Sequence, residues 1–273
     1  MKQSLFNALS ILEYLQQTEI PVLPGADLPL NHVYGEYERR AFGTWGEVGQ
    51  AIWPFGTAAK LKARQERAWE WMARRLRESS KKVSLVAIGP LTNVALALQY
   101  LPCTPGLKEI IIMGGAVDWL PDGQGNSTQE AEFNFWVDPE AAQQVLDSGH
   151  PIRLIPINIW RKLWLDIEGF YEVARQPTLT GRLLATVLGE QYVKDPNFAV
   201  SLGDALGIGV LLWPELCHFE KLNVKVLTEP NYHYGKLLTQ PTTESTPWID
   251  VLLDADIPEI LRRCLQELGS ESS

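Results

Sequence analysis

Val83-Ser84-Leu85-Val86-Ala87-Ile88-Gly89-Pro90-Leu91-Thr92-Asn93 is the stretch that decides the fold. Its first half is a near-continuous apolar run, as in a strand covered on both faces of a sheet. Gly89-Pro90 ends that strand, and a helix follows through Leu98. The pattern recurs downstream. Lys108-Glu109-Ile110-Ile111-Ile112-Met113 reads as a second buried strand ending at Gly114-Gly115, and Pro151 to Ile157 as a third. Between them a helix over about 138 to 148 opens with Asp138-Pro139, an N-cap residue with proline at the first helical position. Strand, helix, strand, helix, strand at this spacing predicts a right-handed parallel α/β sheet. Ligands of such sheets gather at the carboxyl ends of the strands. The Gly89, Gly114 and Asn158 segments should therefore share one rim with the loop that runs from Asn126 to Asn134.

That loop carries the polar chemistry. Gly123-Gln124-Gly125-Asn126 offers small residues that permit left-handed backbone angles and close approach of a ligand. In an extended segment Glu132 and Asn134 point to one side and Phe133 to the other. A carboxylate that only accepts, beside an amide that donates and accepts, suits a ligand rich in hydroxyls. A polar surface loop capping a helix is the plain alternative at this point.

Outward from this centre, residues 3 to 17 place Leu5, Leu9, Leu12 and Leu15 on one helical stripe, and Ile20 to Leu23 read as a short buried strand. Asp27 to Thr57 has no clear period and holds His32, Trp45, Trp53 and Phe55; residues 58 to 79 read as a basic amphipathic helix. Residues 163 to 212 are helical in pattern, the last helix opening near Ser201-Leu202-Gly203-Asp204, where Asp204 reads as an N-cap. Leu222 to Leu227, Gly235 to Thr239 and Trp248 to Leu253 alternate as strands of a smaller antiparallel or mixed portion. Asp256 with Pro258 begins a final helix to about Leu268. No repeat or low-complexity linker divides the chain, so residues 1–273 read as a single domain.

Composition narrows the function classes. The net charge of −9 and a pI of about 5.1 argue against nucleic acid as a partner. No apolar run approaches the roughly 18 residues of a membrane span, and the N-terminus lacks the pattern of a signal peptide. Cys103, Cys217 and Cys264 are far apart, which predicts a reducing, cytoplasmic setting without a disulfide framework. There is no Gly-x-Ser-x-Gly, no phosphate-cradling Gly-x-x-x-x-Gly-Lys, no dinucleotide Gly-x-Gly-x-x-Gly and no His-Glu-x-x-His. His32, His150, His218 and His233 are scattered and read as structural or exposed.

Taken together, Gly89-Pro90-Leu91-Thr92-Asn93, Met113-Gly114-Gly115, Gly125-Asn126 and Ala131-Glu132-Phe133-Asn134 with Asp138-Pro139-Glu140-Ala141-Ala142 resemble the inosine–uridine-preferring nucleoside hydrolase family. Asn7-Ala8, Leu12-Glu13 and Pro21-Val22 before Gly25-Ala26 are similar to that family's second helix and the strand after it. The resemblance implies a mostly parallel central sheet flanked by helices and hydrolysis of the N-glycosidic bond of ribonucleosides. It also implies a calcium ion that activates water, a small-molecule nucleoside as partner, and a homo-oligomer, dimer or tetramer. By that resemblance Met113 (through its backbone), Asn126, Glu132, Asn134 and Asp204 match positions that hold the ribose. The Thr92 carbonyl and the Asp204 carboxylate match metal ligands. Oxygen ligands are chemically right for calcium, and fixed carboxylates suit an oxocarbenium-like transition state.

The departures are specific. The family's Asp-x-Asp-x-x-x-Asp-Asp, which supplies the catalytic base and most calcium ligands, does not occur in these 273 residues, so no catalytic residue is assigned. The chain starts where the family's second helix would start. It thus reads as truncated, with the first strand or strands missing and strand edges left unpaired within the sheet. Asp254-x-Asp256 lies at the wrong end to substitute. Gly203 stands where a leaving-group histidine is often found, Phe42 beside Gly43 replaces another histidine, and Asn158 and Trp160 stand for an Asp and a Thr. Two oxygen ligands in place of about 6–8 predict weak calcium binding. Two readings follow: a ribonucleoside N-glycosyl hydrolase active in its full-length form, or a catalytically inactive nucleoside- or ribose-binding or structural member of the family.

Overall fold

A computed structural model describes residues 2–30, 60–100, 105–195, 197–241 and 248–270. Most of the aperiodic stretch from Asp27 to Thr57, with His32, Phe42, Trp45, Trp53 and Phe55, lies outside them.

The three strands read from the sequence are β1 (Val83–Ala87), β2 (Leu107–Met113) and β3 (Ile152–Ile155). They pair in parallel, with Leu85 opposite Ile110 and Ile112 opposite Leu154. Successive side chains of a strand face opposite sides, and β2 uses both. Ile110 and Ile112 enter a core built with α2 (Ala68–Glu78), α3 (Thr92–Gln99) and α5 (Pro139–Leu146). Ile111 enters the opposite core with α9 (Gly203–Leu212) and α10 (Ile257–Gly269). All three isoleucines are fully buried, each a contribution of about 1.5–3 kcal/mol. A strand covered on both faces has no room for alternation, which is why its sequence reads as a continuous apolar run.

The C-terminal strands do not form a portion of their own. β4 (Trp164–Leu165) and β5 (Val200–Ser201) pair apart as a two-stranded sheet, while β6 (Cys217–Val226), β7 (Leu237–Pro241) and β8 (Ile249–Ala255) extend the first sheet, in the order β1-β2-β3-β8-β6-β7. β8 runs parallel to β3, and β6 lies antiparallel to both β8 and β7. The unpaired edges expected in the middle of the sheet are not seen among the described residues, where the outer edge of β1 lies at one end. The six strands are paired without interruption, and among the described residues β1 pairs with β2 alone and forms one end.

Helical expectations hold where caps are strong. Asp138 caps α5 by accepting from the Ala141 N–H at 3.0 Å, and Asp256 caps α10 by accepting from the Glu259 N–H at 3.1 Å. α1 (Lys2–Tyr14) matches the first stripe. α7 (Ile167–Ala174) and α8 (Leu179–Lys194) fill the helical stretch, packing Phe170 on Tyr192 at 4.4 Å between ring centroids. Two expectations fail together. Ile20 to Leu23 is not a strand, and the basic helix begins only at Ala68. The two irregular segments satisfy one another instead: the Arg64 N–H donates to Val22 O and the Ala68 N–H to Pro24 O, both at 2.9 Å. Among the described residues no helix is long and apolar enough to cross a membrane, and Cys217 and Cys264 are free thiols.

Candidate active site

β2 ends at Met113, and the chain turns there on Gly114-Gly115. Gly115 has φ +74°, a left-handed angle that a side chain would strain. A Cβ on Gly114 would meet the Phe135 ring at 2.8 Å and Glu132 Oε2 at 3.1 Å, so the bare backbone lets Glu132 fold in under the strand end.

Glu132 is not in an extended segment, as the two-residue spacing predicted. It is the N-cap of the short helix α4 (Phe133–Val137). Its Oε2 accepts from the N–H groups of Gly115 at 2.9 Å, Asn134 at 3.0 Å and Phe135 at 3.3 Å. Unpaired donors at a helix start attract a carboxylate, which explains the local fold. Glu132 is 2% exposed. Burial pushes its carboxyl up to about 7 against the three backbone donors that lower it, and the Asp204 charge raises it further.

Asn134, also buried, donates from Nδ2 to the Met113 carbonyl at 2.9 Å. Asn126 Oδ1 accepts from the Phe133 N–H at 2.8 Å. Met113, Asn126, Glu132 and Asn134 are therefore one connected cluster at the carboxyl end of β2. The loop before them is tight for a different reason from the one expected. Neither Gly123 nor Gly125 takes a left-handed angle; Asp122 does, at φ 56°. Gly125 is needed for close approach, since a Cβ there would lie 2.1 Å from Ala131 O.

Asp204 reaches the same neighbourhood from α9. It caps nothing: the N-cap is Leu202, without a side-chain bond, and Asp204 stands free in the first turn. Its residue as a whole is solvent-exposed, yet partial burial of the carboxyl raises its pKa. Thr92 opens α3, and its hydroxyl donates to Asp138 Oδ2 at 2.5 Å. Among the described residues no hydrogen bond joins Thr92 to Asp204, and no group of three or more His, Cys, Asp or Glu side chains could hold a metal ion.

Three residues named from the sequence make supporting contacts that the sequence did not announce. Asp138, 0% exposed, accepts from Thr92, from the Leu30 N–H at 3.0 Å and from its own cap, so it ties three segments together. The Asp-Pro pair pointed only to the cap. Asn158 accepts from the Val117 N–H and donates to the Val117 and Pro121 carbonyls, pinning the loop after β2. Trp160, at the end of α6 (Ile157–Trp160), lays its ring over Gly203. No local pattern announces either contact.

The model of the inosine-uridine preferring nucleoside hydrolase family matches residues 1–262. The chain is 34% identical to the pyrimidine-specific ribonucleoside hydrolase RihA of Shigella boydii serotype 4 over 93% of its own length and 81% of that relative. It is 35% identical to RihA of Escherichia coli O8 over the same shares. Among solved structures it is similar to a purine-preferring ribonucleoside hydrolase from Gardnerella vaginalis, with TM-score 0.82, 22% identity, and 98% of this chain and 86% of that one covered. It is also similar to an inosine-guanosine nucleoside hydrolase, with TM-score 0.83, 21% identity, and coverage of 100% and 88%. The structural likenesses bear on the fold.

Proposed function

The chain belongs to the inosine–uridine preferring nucleoside hydrolase family, and on that premise we propose that it hydrolyses the N-glycosidic bond of ribonucleosides, pyrimidine ribonucleosides first. Members of the family are ribonucleoside N-glycosyl hydrolases. The observation that carries the reading is the cluster at the end of β2, where buried Glu132, Asn134 and the Met113 carbonyl meet half-buried Asn126. The likeness to pyrimidine-specific relatives supports the choice of base.

In this reading the cluster holds the ribose hydroxyls. All three backbone donors to Glu132 fall on Oε2, so Oε1 is the oxygen left for a ribose hydroxyl. Asn134 can exchange its bond to Met113 for one to the sugar, which frees the Met113 carbonyl as an acceptor. Asp204 faces the cluster from α9. Cleavage of an N-glycosidic bond builds positive charge on the anomeric carbon and ring oxygen, and fixed carboxylates such as Glu132 and Asp204 stabilise it. Water then adds to the anomeric carbon, and the base leaves with the bonding electrons and takes up a proton. No residue is assigned as the general base.

The family's chemistry calls for a divalent cation, and the residues in hand do not fit calcium. The Thr92 carbonyl and Asp204 supply two oxygens, against about 6–8 for that ion, and no cluster of metal-binding side chains lies among the described residues. A cytoplasmic setting and a dimer or tetramer belong to the same proposal, the first resting on the scattered free cysteines.

Calorimetry with uridine and with ribose tests the binding half. Both should bind, and Asn134→Ala should weaken both by about tenfold or more, the effect of one lost buried hydrogen bond. Unchanged affinity in that variant would remove the cluster from the site.

A further inference from the structure

The loop from Gly123 to Glu132 carries Asn126 and Glu132, yet it is braced mostly on itself. The Gly125 N–H donates to Gln129 O, and those of Ser127 and Thr128 to Ala131 O, at 3.0–3.3 Å. Thr128 Oγ1 accepts from the Glu130 and Ala131 N–H groups. Besides the backbone N–H groups that hold Asn126 and Glu132, its brace from outside is made by side chains that meet Glu130. Lys236 Nζ donates to Glu130 Oε1 at 2.9 Å and lies 3.8 Å from Asp118, while His233 Nδ1 contacts Glu130 Oε2.

The turn that presents these two side chains is itself fixed. The Gly235 N–H donates to Leu227 O and the Leu227 N–H to Lys236 O, which closes the link between β6 and β7. The Tyr234 hydroxyl donates to Glu140 on α5 at 2.9 Å. Gly235, at φ +80°, rests so close on α4 that a Cβ would lie 2.7 Å from the Trp136 Cα. The turn is thus seated on the two helices that follow the site loop, and Lys236 reaches back from it. Lys236 and Glu130 are shielded, at 18% and 23% side-chain exposure, which strengthens a charge-assisted bond relative to a surface pair.

Beside this contact lies a cavity of about 540 Å³ lined by Asp118, Asp122, Gln124, Gln129, Arg161 and Tyr232, with Glu130 and Lys236 in its wall. The loop has space to move into it. Without the Lys236 charge, Glu130 would share this cavity with Asp118 and Asp122, with Arg161 the remaining cation of the lining, and the like charges would loosen the loop.

We propose that Lys236, seconded by His233, is a positioning residue: through Glu130 it holds the Gly123–Glu132 loop so that Asn126 and Glu132 meet the sugar. It touches neither the reacting atoms nor the ribose. The proposal rests on the ribose-binding reading of the cluster, and its test separates the two.

Lys236→Met, Lys236→Arg, Glu130→Gln and the double variant Lys236→Met/Glu130→Gln are compared by amide hydrogen exchange and by uridine calorimetry. In Lys236→Met the amides of Gly125, Ser127 and Phe133 should exchange about tenfold faster while those of Ile110 to Ile112 and Leu154 stay unchanged. Uridine affinity should fall by about tenfold, Lys236→Arg should restore most of both effects, and the double variant should be no worse than either single one. Unchanged loop exchange in Lys236→Met, acceleration spread over the whole sheet, or additive single effects would each overturn the clamp. A wild-type chain that binds no uridine, with loop exchange responding as expected, would overturn the ribose reading and leave the clamp standing.

Discussion

The ring of Trp160 occupies the space that any side chain at position 203 would need: a Cβ on Gly203 would lie 2.8 Å from Trp160 Cε3 and 3.1 Å from Cδ2. Two substitutions that look independent in the sequence are one packing solution. An indole at 160 requires glycine at 203, immediately before Asp204. A histidine at 203 would have to displace the ring. Gly203→Ala should cost about 1–3 kcal/mol, the range for overpacking, measured as a shift in urea midpoint at unchanged slope. In a Trp160→Phe background the same change should cost less than about 1 kcal/mol, because a smaller ring gives way.

Asp138 and Thr92 form the second buried link. Asp138 accepts from the Thr92 hydroxyl and from two backbone N–H groups on separate segments. Removing the carboxylate strands three donors, so Asp138→Ala should lose about 3 kcal/mol or more. Thr92→Val keeps the shape and removes one donor to a buried charge, for a loss of about 1–3 kcal/mol. Chemical denaturation of both variants checks the order.

Asn158 predicts a change of sign rather than of size. Its Nδ2 faces the Val117 and Pro121 carbonyls at 3.0 and 2.8 Å, and the residue is 1% exposed. Asn158→Asp would set a carboxylate against two acceptors. It should destabilise the fold by about 2–4 kcal/mol at neutral pH, and by less as the pH falls and the acid is protonated. A flat pH response would contradict this geometry.

Glu132 makes the fold itself pH-dependent. Burial holds its carboxyl at about 7 in the folded chain, against 4.5 for an ordinary glutamate. Between those values the folded state binds more protons than the unfolded one, so stability falls as the pH rises. The penalty is absent below the unfolded value and complete above about pH 7, where it amounts to about 3 kcal/mol. Glu132→Gln should flatten this slope and be the more stable protein at pH 8, at the expense of ribose binding. Thermal midpoints across pH 4 to 9 measure it.

Much of the fold was legible because its signals are local. The apolar runs of β2 and β3 reported coverage on both faces, and Asp138-Pro139 and Asp256-Ile257-Pro258 marked helix starts that the structure keeps. The strand expected at Ile20 to Leu23 failed because an apolar run does not name a partner, and its carbonyls found Arg64 and Ala68. The mixed half of the sheet was seen as strands but misplaced, since nothing in Trp248 to Leu253 says that β8 lies beside β3. At the site, residue types gave Glu132 and Asn134, but not that Glu132 caps α4 or that Asn134 spends its amide on Met113. The contacts of Trp160 with Gly203 and of Lys236 with Glu130 span 43 and 106 positions, taken from the residue numbers. No periodicity reaches so far.

Release of uracil from uridine by the 273-residue chain, beside inosine and beside Asn134→Ala, tests the central claim most directly. Turnover of uridine in preference to inosine is expected, with kcat/KM lowered by about tenfold or more in Asn134→Ala as its sugar contact is lost. A folded chain that releases no base from either nucleoside, or an Asn134→Ala variant as fast as the parent, would contradict it.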